Sequence, residues 1–371
     1  MKKKLAIFAL CFAWFVPDIV SADAGDGLLG KWYGPSDTVY TLSNDAARNE
    51  VLAFRHRGRG RMEPAGRFAT GGTGTGSGLG NQGALALSEN ERYLFAVNAG
   101  SNDVSVFRIR YGGLQLVDRA SEDGVTPVSV AVSHNRVYVV NAGDDSIFGF
   151  RFDPYRGKLS PLPGSHHKLS GEGTAPAQIS FDRGGNALVV TEKATNKITT
   201  FTLNEDGTPA ERHVVDSAGT TPFGFAFGKR GQFFVSEAQG GAPGGATVSS
   251  YELQEDGRVR VIDGAVAVGQ TAACWLAATP NGRIAFTADT PANAISSFAI
   301  DFAGNLSLLQ TRAAEESRPT DLAVSSDGRM LYTLSGGDRS IGVYRIRKAG
   351  TLEKLDDLGS LPSGVTGLIV R

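Results

Sequence analysis

A short segment recurs seven times along the chain, and this repetition constrains the fold more than any other feature. Residues 94–109 (LFAVNAGSNDVSVFRI) contain two runs of strong β formers separated by a turn rich in Gly, Asn and Asp. This pattern is typical of a β-hairpin. Copies that diverge to different degrees occupy residues 39–54, 137–152, 187–203, 233–253, 285–300 and 331–346.

The spacing of the copies indicates a β-propeller. We aligned them on the residue that ends the first apolar run, and successive alignment points lie 43 to 56 residues apart. A period of about 50 residues that contains several short strands is the pattern of propeller blades. The alignment points are Leu42, Asn98, Asn141, Thr191, Ser236, Ala288 and Leu334.

Each repeat predicts four antiparallel strands. An inner strand, usually preceded by Pro, comes before the hairpin, and a weaker outer strand follows it. The first hairpin has no inner strand before it, whereas residues 364–370 form an inner strand with no hairpin after it. We therefore predict an all-β, seven-bladed β-propeller whose ring is closed by N- and C-terminal strands in one blade, which leaves no long unpaired sheet edge. Aromatic residues that recur in the third strand are predicted to pack between blades: Phe54, Phe107, Phe150, Phe201, Tyr251, Phe298 and Tyr344.

The N-terminus has the composition of a secretory signal peptide. Residues 1–4 are basic, residues 5–16 are apolar, and small residues near position 22 suit cleavage there or after residue 24. The apolar run is too short to cross a bilayer, so no membrane insertion is expected. The predicted organisation is a cleaved signal at 1–22, an N-terminal segment at 23–36 and a single propeller domain at 37–371. A periplasmic or secreted protein is expected.

The charge balance excludes one large class of partner. Without residues 1–22 the chain has 34 basic and 37 acidic residues. It has no basic excess to hold phosphate backbones, so nucleic acid is not an expected partner. One cysteine, Cys274, then remains, and the chain cannot form an internal disulfide. Its apolar neighbours favour a buried, inert thiol, and a monomer is predicted.

Polar residues near the hairpin turns are the first candidates for a site. Strand alternation places these turns and the loops before the inner strands around one mouth of the central channel, where closed β folds bind ligands. Asn98, Asn141, Glu192, Glu237 and Asp289 lie at this position. Crowded carboxylates could raise one another's pKa and supply a general base, or Glu192, Glu237 and Asp289 could bind Ca²⁺. The alternative is a set of solvated acidic turns.

Glu192 is the preferred catalytic candidate. Gln178 is expected on the neighbouring inner strand at the same face, and Lys193 could supply positive charge beside the carboxylate. The glycine-rich run at residues 71–80 lacks the ending of a phosphate-binding loop. We interpret it as a mobile loop at the same mouth, and Asn81 and Gln82 at its end are further candidates for substrate binding. No cofactor is predicted, Ca²⁺ being the one alternative.

The repeat resembles the lactonase-type seven-bladed propellers, which include 6-phosphogluconolactonase and carboxymuconate cyclase relatives. The closest matches are residues 97–103 (VNAGSND), 222–227 (PFGFAF) and 325–329 (SSDGR), and the resemblance covers essentially all of the chain after the signal. It implies a hydrolytic site built from His and Arg at the starts of inner strands and a Glu after a second strand.

The chain departs from that family pattern at several positions. Glu192 matches the Glu, and Asp321 retains an acidic residue beside a late inner strand, so Asp321 is a further candidate for substrate binding. Ala177 and Gln178 stand where the Arg-His pair is expected, and neither a paired His before Leu85 nor the late Arg is present. The resemblance therefore implies an exported lactonase-like protein that opens a neutral lactone, with Glu192 activating water and Gln178 orienting the substrate. The alternative is a non-catalytic secreted propeller that binds a protein, a cell-wall polysaccharide or a small molecule.

Overall fold

The computed structural model describes residues 37–57, 61–121 and 123–371. The predicted signal peptide and N-terminal segment lie outside the described residues. The described chain forms seven antiparallel sheets, which we call blades 1 to 7. This arrangement confirms the predicted seven-bladed β-propeller.

Each blade begins with an inner strand at the channel and ends with an outer strand at the rim, and its strands follow in that order. Blade 1 contains Thr366–Val370, Thr38–Leu42, Glu50–Arg57 and Arg61–Ala69, and blade 2 contains Leu85–Leu87, Tyr93–Asn98, Asp103–Arg110 and Gly113–Ser121. Blade 3 contains Pro127–Ser133, Arg136–Asn141, Ser146–Asp153 and an outer edge of two pieces, Lys158–Pro161 and His167–Lys168. Blade 4 contains Pro176–Phe181, Ala187–Glu192, Lys197–Leu203 and Pro209–Asp216, and blade 5 contains Pro222–Phe227, Gln232–Glu237, Thr247–Leu253 and Val259–Ala267. Blade 6 contains Ala273–Ala278, Ile284–Asp289, Ala294–Ile300 and Leu306–Glu315, and blade 7 contains Pro319–Val324, Met330–Ser335, Ser340–Ile346 and Leu352–Leu358.

Strands from the two ends of the chain close the ring, as predicted. The inner strand Thr366–Val370 pairs antiparallel with Thr38–Leu42, and Tyr40 lies opposite Ile369. Blade 1 is therefore complete only when both ends are in place, and the pairing removes the long free edge that an open ring would expose.

The recurring third-strand aromatics are all buried, in agreement with the packing role that the sequence predicts. Phe150 of blade 3, for example, belongs to the same apolar cluster as Phe95 of blade 2. Burial of such rings is a major source of stability in a β domain.

The helical content of the described residues is small. Three 3-10 turns occur in the described part of the chain, at Gln239–Gly241, Thr290–Ala292 and Lys348–Gly350. Among the described residues we find no helix with the length and apolar character needed to span a bilayer.

The register of the blades corrects the alignment of the repeats. The residue that ends the second strand and lies opposite the start of the inner strand is Glu192 in blade 4, not Thr191. The sequence alignment was therefore one residue early in five copies. In four of them the apolar run stops one position before the strand does, and in blade 1 the equivalent residue directly follows the strand Thr38–Leu42. The equivalent residues are Ser43, Asn98, Asn141, Glu192, Glu237, Asp289 and Ser335.

Candidate functional site at the upper channel mouth

Inner strands begin on the face of the ring where second strands end, which we call the upper face. Pro176 pairs with Glu192, and Pro319 pairs with Ser335 in the same way. The hairpin turns therefore surround the same end of the channel as the starts of the inner strands. The opposite end, where inner and third strands finish, is the lower face.

The seven equivalent polar residues at the ends of the second strands are buried within their own blades. In three blades the side chain accepts from, or donates to, a hydroxyl seven residues later on the third strand: Asn98 with Ser105, Glu192 with Thr199, and Asp289 with Ser296. These contacts join the second and third strands at the upper end of each blade. The acidic turns are thus not solvated, and their polar atoms face the blade interior.

Glu192 is the clearest example of this arrangement. Its side chain has no exposed surface, and its Oε1 accepts from the backbone N–H of Ser170 at 3.1 Å and from Thr199 Oγ1 at 2.6 Å. Its Oε2 accepts from Ser170 Oγ and from Thr195 Oγ1. Four donors occupy the carboxylate, which has no surface open to the channel. The catalytic role of Glu192 stays a prediction, and the geometry supports a structural role.

The other two acidic candidates are similarly enclosed. Glu237 accepts from the backbone N–H of Gly219 at 2.9 Å and from the hydroxyls of Ser217, Thr247 and Tyr251. Asp289 accepts from Thr287 and Ser296, and burial raises its pKa to about 7. Across the described part of the chain, no three acidic, His or Cys side chains come together to hold a metal ion. The Ca²⁺ alternative for Glu192, Glu237 and Asp289 therefore has no geometric support.

The two asparagines at equivalent positions also face inward. Asn98 donates to Asp103 and Ser105 and accepts from Asn49 at 2.9 Å. Asn141 donates to Ser146 at 3.3 Å. Both were predicted to bind substrate, and the structure places both inside their blades rather than at the channel.

The glycine-rich run lies at the upper face, where the sequence placed it. Two of its glycines are required by close packing, because a Cβ on Gly72 would lie 2.5 Å from Asn98 Cγ and one on Gly74 would overlap the Asn44 carbonyl carbon. Backbone hydrogen bonds at 2.8 Å also join Gly74 to Asp45 and Gly76 to Asn44. The run is therefore anchored to the hairpins of blades 1 and 2 before it turns into the channel.

Asn81 and Gln82, at the end of this run, cross the upper end of the channel. The Asn81 side chain donates to the Val128 carbonyl of blade 3 and accepts from Thr366 of blade 1, and its backbone carbonyl accepts from Trp275 Nε1 at 2.8 Å. We call these two residues the plug. Their side chains were predicted to bind substrate, but in this structure they bind the inner strands.

Gln82 and Gln178 bind other inner strands in the same manner. Gln82 accepts from the Leu276 N–H at 3.1 Å and donates to the Leu276 carbonyl at 2.8 Å, across the ring. Gln178 makes the same pair of bonds to Phe225, at 2.8 and 3.0 Å. A Cβ at Gly224 would overlap Gln82 Oε1, so glycine is needed there. Both amides are thus engaged with backbone groups, which leaves Gln178 poorly placed to orient a substrate.

Lys193 differs from the other candidates because its functional group remains at the mouth. Its Nζ donates to the Gly80 carbonyl, lies 3.5 Å from the Pro176 carbonyl and is 4.9 Å from the centroid of the Phe223 ring. The side chain is partly exposed, and no carboxylate of the described residues forms an ion pair with it. Burial lowers the pKa of Lys193 to about 8.

A strongly lowered lysine pKa at the end of a channel identifies a candidate reactive group. The sequence named Lys193 only as a neighbour of Glu192. Its surroundings could not be read from the sequence, since Gly80 and Phe223 belong to distant segments.

Two more residues line or flank this part of the molecule. Cys274 lies near Lys193 on the inner strand of blade 6, and burial raises the pKa of its thiol to about 12, as expected for an inert cysteine.

Asp321, a predicted binding residue, is 1% exposed and accepts a 2.8 Å hydrogen bond from the Leu322 N–H. Its Oδ2 has no partner among the described residues, and burial raises its pKa to about 8. Asp321 is therefore buried between strands and does not reach the mouth.

The raised pKa of Asp321 predicts a pH-dependent stability. Between its ordinary value of 3.8 and about 8 the folded state keeps a proton that the unfolded state has lost. The contribution of Asp321 to the free energy of unfolding is therefore most favourable below pH 3.8, and it is lost as the pH rises towards 8. We expect Asp321→Asn to raise the melting temperature relative to the parent protein, by more at pH 8 than at pH 5. The control is Asp216→Asn, whose side chain is 86% exposed, and a difference that stays constant with pH would contradict this role for Asp321.

The channel also contains a cavity of about 450 Å³ below the plug. Inner strands of blades 1 to 4 form its walls, and its lining runs from Gly83 and Gln178 to the lower-face turns with Glu89, Asp182 and Arg183. The cavity therefore extends towards the lower face, away from Lys193.

Comparison with known proteins places the chain in a family. Residues 37–171 and 238–365 match the family described as "Lactonase, 7-bladed beta-propeller". The 6-phosphogluconolactonase of Klebsiella pneumoniae (strain 342) is 25% identical over 281 residues, which cover 71% of this chain and 80% of that protein. The 6-phosphogluconolactonase of Serratia proteamaculans (strain 568) is 30% identical over 205 residues, which cover 52% of this chain and 59% of that protein.

Solved structures share the fold at lower identity. A protein from Lactobacillus plantarum has a TM-score of 0.74 and 17% identity, with 91% of this chain and 98% of that chain covered. The periplasmic gluconolactonase of Pseudomonas aeruginosa has a TM-score of 0.72 and 17% identity, with 89% and 98% covered. The family match covers most of the sequence, and the structure has seven blades closed by both chain ends. This chain therefore belongs to the lactonase family of seven-bladed β-propellers.

Proposed function

We propose that this protein hydrolyses a small-molecule lactone at the upper channel mouth, with the amine of Lys193 as general base. The observation that carries the proposal is the amine itself, which is at the mouth, has no carboxylate partner among the described residues and has a pKa lowered to about 8. The reaction class is supported by the family and by relatives named 6-phosphogluconolactonase.

The neutral amine has the bonding capacity that this step needs. It carries two N–H groups and one lone pair, and the carbonyls of Gly80 and Pro176 can accept the two N–H groups. The lone pair then remains to take a proton from water. A pKa near the working pH suits a general base, because the neutral form is populated and still accepts a proton.

The proposed step is a simple hydrolysis. Water attacks the lactone carbonyl carbon while Lys193 takes one of its protons, which gives a tetrahedral oxyanion beside a new ammonium group. Collapse of the oxyanion breaks the ring C–O bond, and the ammonium returns the proton to the leaving alkoxide. The product is a hydroxy acid, and the amine is neutral again.

We further propose that the substrate is a lactone without a phosphate group. Ala177 and Gln178 occupy the position of the family's Arg-His pair, and Gln178 is bound to Phe225. Lys193 alone supplies less positive charge than a phosphorylated lactone would require. Export to the periplasm or medium belongs to the same proposal, and the signal-like composition of residues 1–22 supports it.

The pH dependence of hydrolysis tests the role of Lys193. Because the neutral amine is the active form, kcat/KM should rise with pH through about 8 and then level off. The measurement uses glucono-1,5-lactone, a homoserine lactone and 6-phosphogluconolactone from pH 6 to 9.5, corrected for spontaneous hydrolysis. A profile that is flat from pH 6.5 to 9.5, or faster turnover of the phosphorylated lactone than of both others, would contradict the proposal.

Binding without hydrolysis is a second candidate. It is favoured by the observation that Glu192, Gln178, Asn81 and Gln82 have their polar groups engaged within the protein. In this case the mouth would bind a protein, a cell-wall sugar or a small molecule without changing it. Saturable calorimetric binding of an intact lactone or sugar, together with no turnover of the whole lactone set, would favour this function.

A further inference from the structure

A concentration of arginines occupies the lower face between blades 1, 2 and 3. Arg55 and Arg57 lie at the end of a third strand in blade 1, and Arg108 and Arg110 lie at the same place in blade 2. Arg92 precedes the second strand of blade 2, and Arg371 follows the inner strand of blade 1. We call these six residues the arginine pocket.

The arginines line two adjoining cavities. One has a volume of about 400 Å³ and is lined by Arg55, Arg57, Arg110 and Arg371. The other has a volume of about 560 Å³ and is lined by Arg92, Arg108 and Arg110. Arg110 lines both, so the two cavities form neighbouring parts of one recess. Each volume is in the range of small-ligand sites.

Most of this positive charge is not neutralised by the protein. Arg57 pairs with Glu63 at 3.3 Å and Arg371 pairs with Glu91 at 3.8 Å. Arg55, Arg92, Arg108 and Arg110 have no ion pair with any described carboxylate. The formal net charge of the whole chain is −1, so four arginines without an ion pair in one place are a local feature and not a consequence of composition.

Arg108 is held in a fixed position at the recess. Its Nη2 donates to the Tyr155 carbonyl at 3.1 Å, and its guanidinium carbon lies 5.3 Å from the centroid of the Tyr93 ring. Its Nε is buried and lies out of reach of a ligand. A guanidinium that is already held in place loses little freedom when its other N–H groups donate to a carboxylate.

Two tyrosines border the recess with their rings in solvent. Tyr111 borders the first cavity and is fully exposed, and Tyr155 borders the second and is 92% exposed. An exposed aromatic ring offers a flat apolar face with a polar end, a type of surface common at binding sites. The recess therefore combines planar cations with flat surfaces, at some distance from the upper mouth.

We propose that the arginine pocket binds an acidic oligosaccharide. Carboxylates of its uronic acid units would pair with the arginines, and its sugar rings would lie on Tyr111 and Tyr155. The discrete cavities and the net negative charge of the chain favour a short oligosaccharide over nucleic acid, which would require an extended basic surface. The site is separate from the proposed hydrolysis at Lys193 and does not depend on it.

Calorimetry with trigalacturonate tests the proposal. We expect saturable binding that is weakened about ten-fold or more by Arg110→Gln, because charge-assisted hydrogen bonds to both cavities are lost. Tyr155→Ala should also weaken binding, and its exposed position makes misfolding a poor explanation. The control Arg258→Gln, in an exposed ion pair with Asp256, should leave binding unchanged, and neither Arg110→Gln nor Tyr155→Ala should change lactone turnover.

Three comparison ligands make the result decisive. Maltotriose, pyrophosphate and an oligothymidylate should each bind at least about ten-fold more weakly than trigalacturonate. Absence of trigalacturonate binding, or equal weakening by Arg258→Gln, would overturn the proposal. Equal or tighter binding of any comparison ligand would also overturn it, and would identify a neutral-sugar, phosphate or nucleic-acid site respectively.

Discussion

Replacing Lys193 with methionine should lower kcat/KM for lactone hydrolysis by at least about a hundred-fold, the usual contribution of a general base. Methionine is close to lysine in length and can occupy the space over the Phe223 ring, so the inner strands should keep their packing. Among the described residues of the mouth, Lys193 is the one candidate that is exposed to the channel and also has a pKa suitable for a general base. The substitution removes this group. The measurement is steady-state turnover at pH 8, with spontaneous hydrolysis subtracted.

Two further variants show whether Lys193 acts as a general base or only through its positive charge. Lys197→Met removes a lysine from the same hairpin that is paired with Asp216 at 2.7 Å, and it should retain the parent activity. Lys193→Arg keeps the positive charge but supplies no neutral amine at pH 8, so it should be as inactive as Lys193→Met. An active Lys193→Arg protein would show that the side chain acts as a cation rather than as a base.

Replacing Glu192 with leucine should lower the free energy of unfolding by about 3 kcal/mol, because buried donors would lose their acceptor. The affected groups are the Ser170 N–H and the hydroxyls of Ser170, Thr195 and Thr199. Urea unfolding followed by tryptophan fluorescence measures the change. Loss of less than about 1 kcal/mol would contradict the structural role, since a typical hydrogen bond alone contributes that much.

Glu192→Gln is the matched variant for this residue. It keeps the shape and one acceptor oxygen, so it should be destabilised less than Glu192→Leu. Its activity also tests the role that the sequence predicted. A Glu192→Gln protein that is as stable as the parent but no longer hydrolyses any lactone would support Glu192 as the base and would contradict the assignment of that role to Lys193.

The fold could be predicted from the sequence because each blade is a local unit. The turn after Asn98 and the turn after Asn141 repeat almost unchanged, and the prolines at 127, 176, 222 and 319 mark the starts of inner strands. Closure of the ring followed from a first repeat that lacks an inner strand and a lone inner strand at the end of the sequence. These features depend on short segments, where β propensity and turn chemistry are informative.

The candidate site was less accessible to prediction, because it depends on side-chain direction and on contacts between distant segments. Residues 192 and 193 are neighbours in sequence, but the first points into its blade and the second reaches the channel. Glu192 is the last residue of its strand, whereas Lys193 begins the turn that follows, and the alignment of the apolar runs was one residue early at this position.

The plug and the arginine pocket were even harder to predict, because they consist of contacts between segments that are far apart in the sequence. Gln82 meets Leu276 across the ring, and Arg55 and Arg371 line one cavity only because the first and last strands pair. The glycines at 72 and 74 could be recognised as unusual, but the atoms that exclude a side chain there belong to other segments. Contacts of this kind follow from the closed ring and not from any local pattern.

A crystal structure of the protein with the hydroxy-acid product of its best lactone substrate would show directly where hydrolysis takes place. We expect the product carboxylate to lie within hydrogen-bond distance of Lys193 Nζ, at the upper mouth beside Phe223. Product bound instead in the cavity of about 450 Å³ below the plug would contradict this expectation. Product bound to a Glu192 carboxylate that has left its four hydrogen-bond donors would also contradict it.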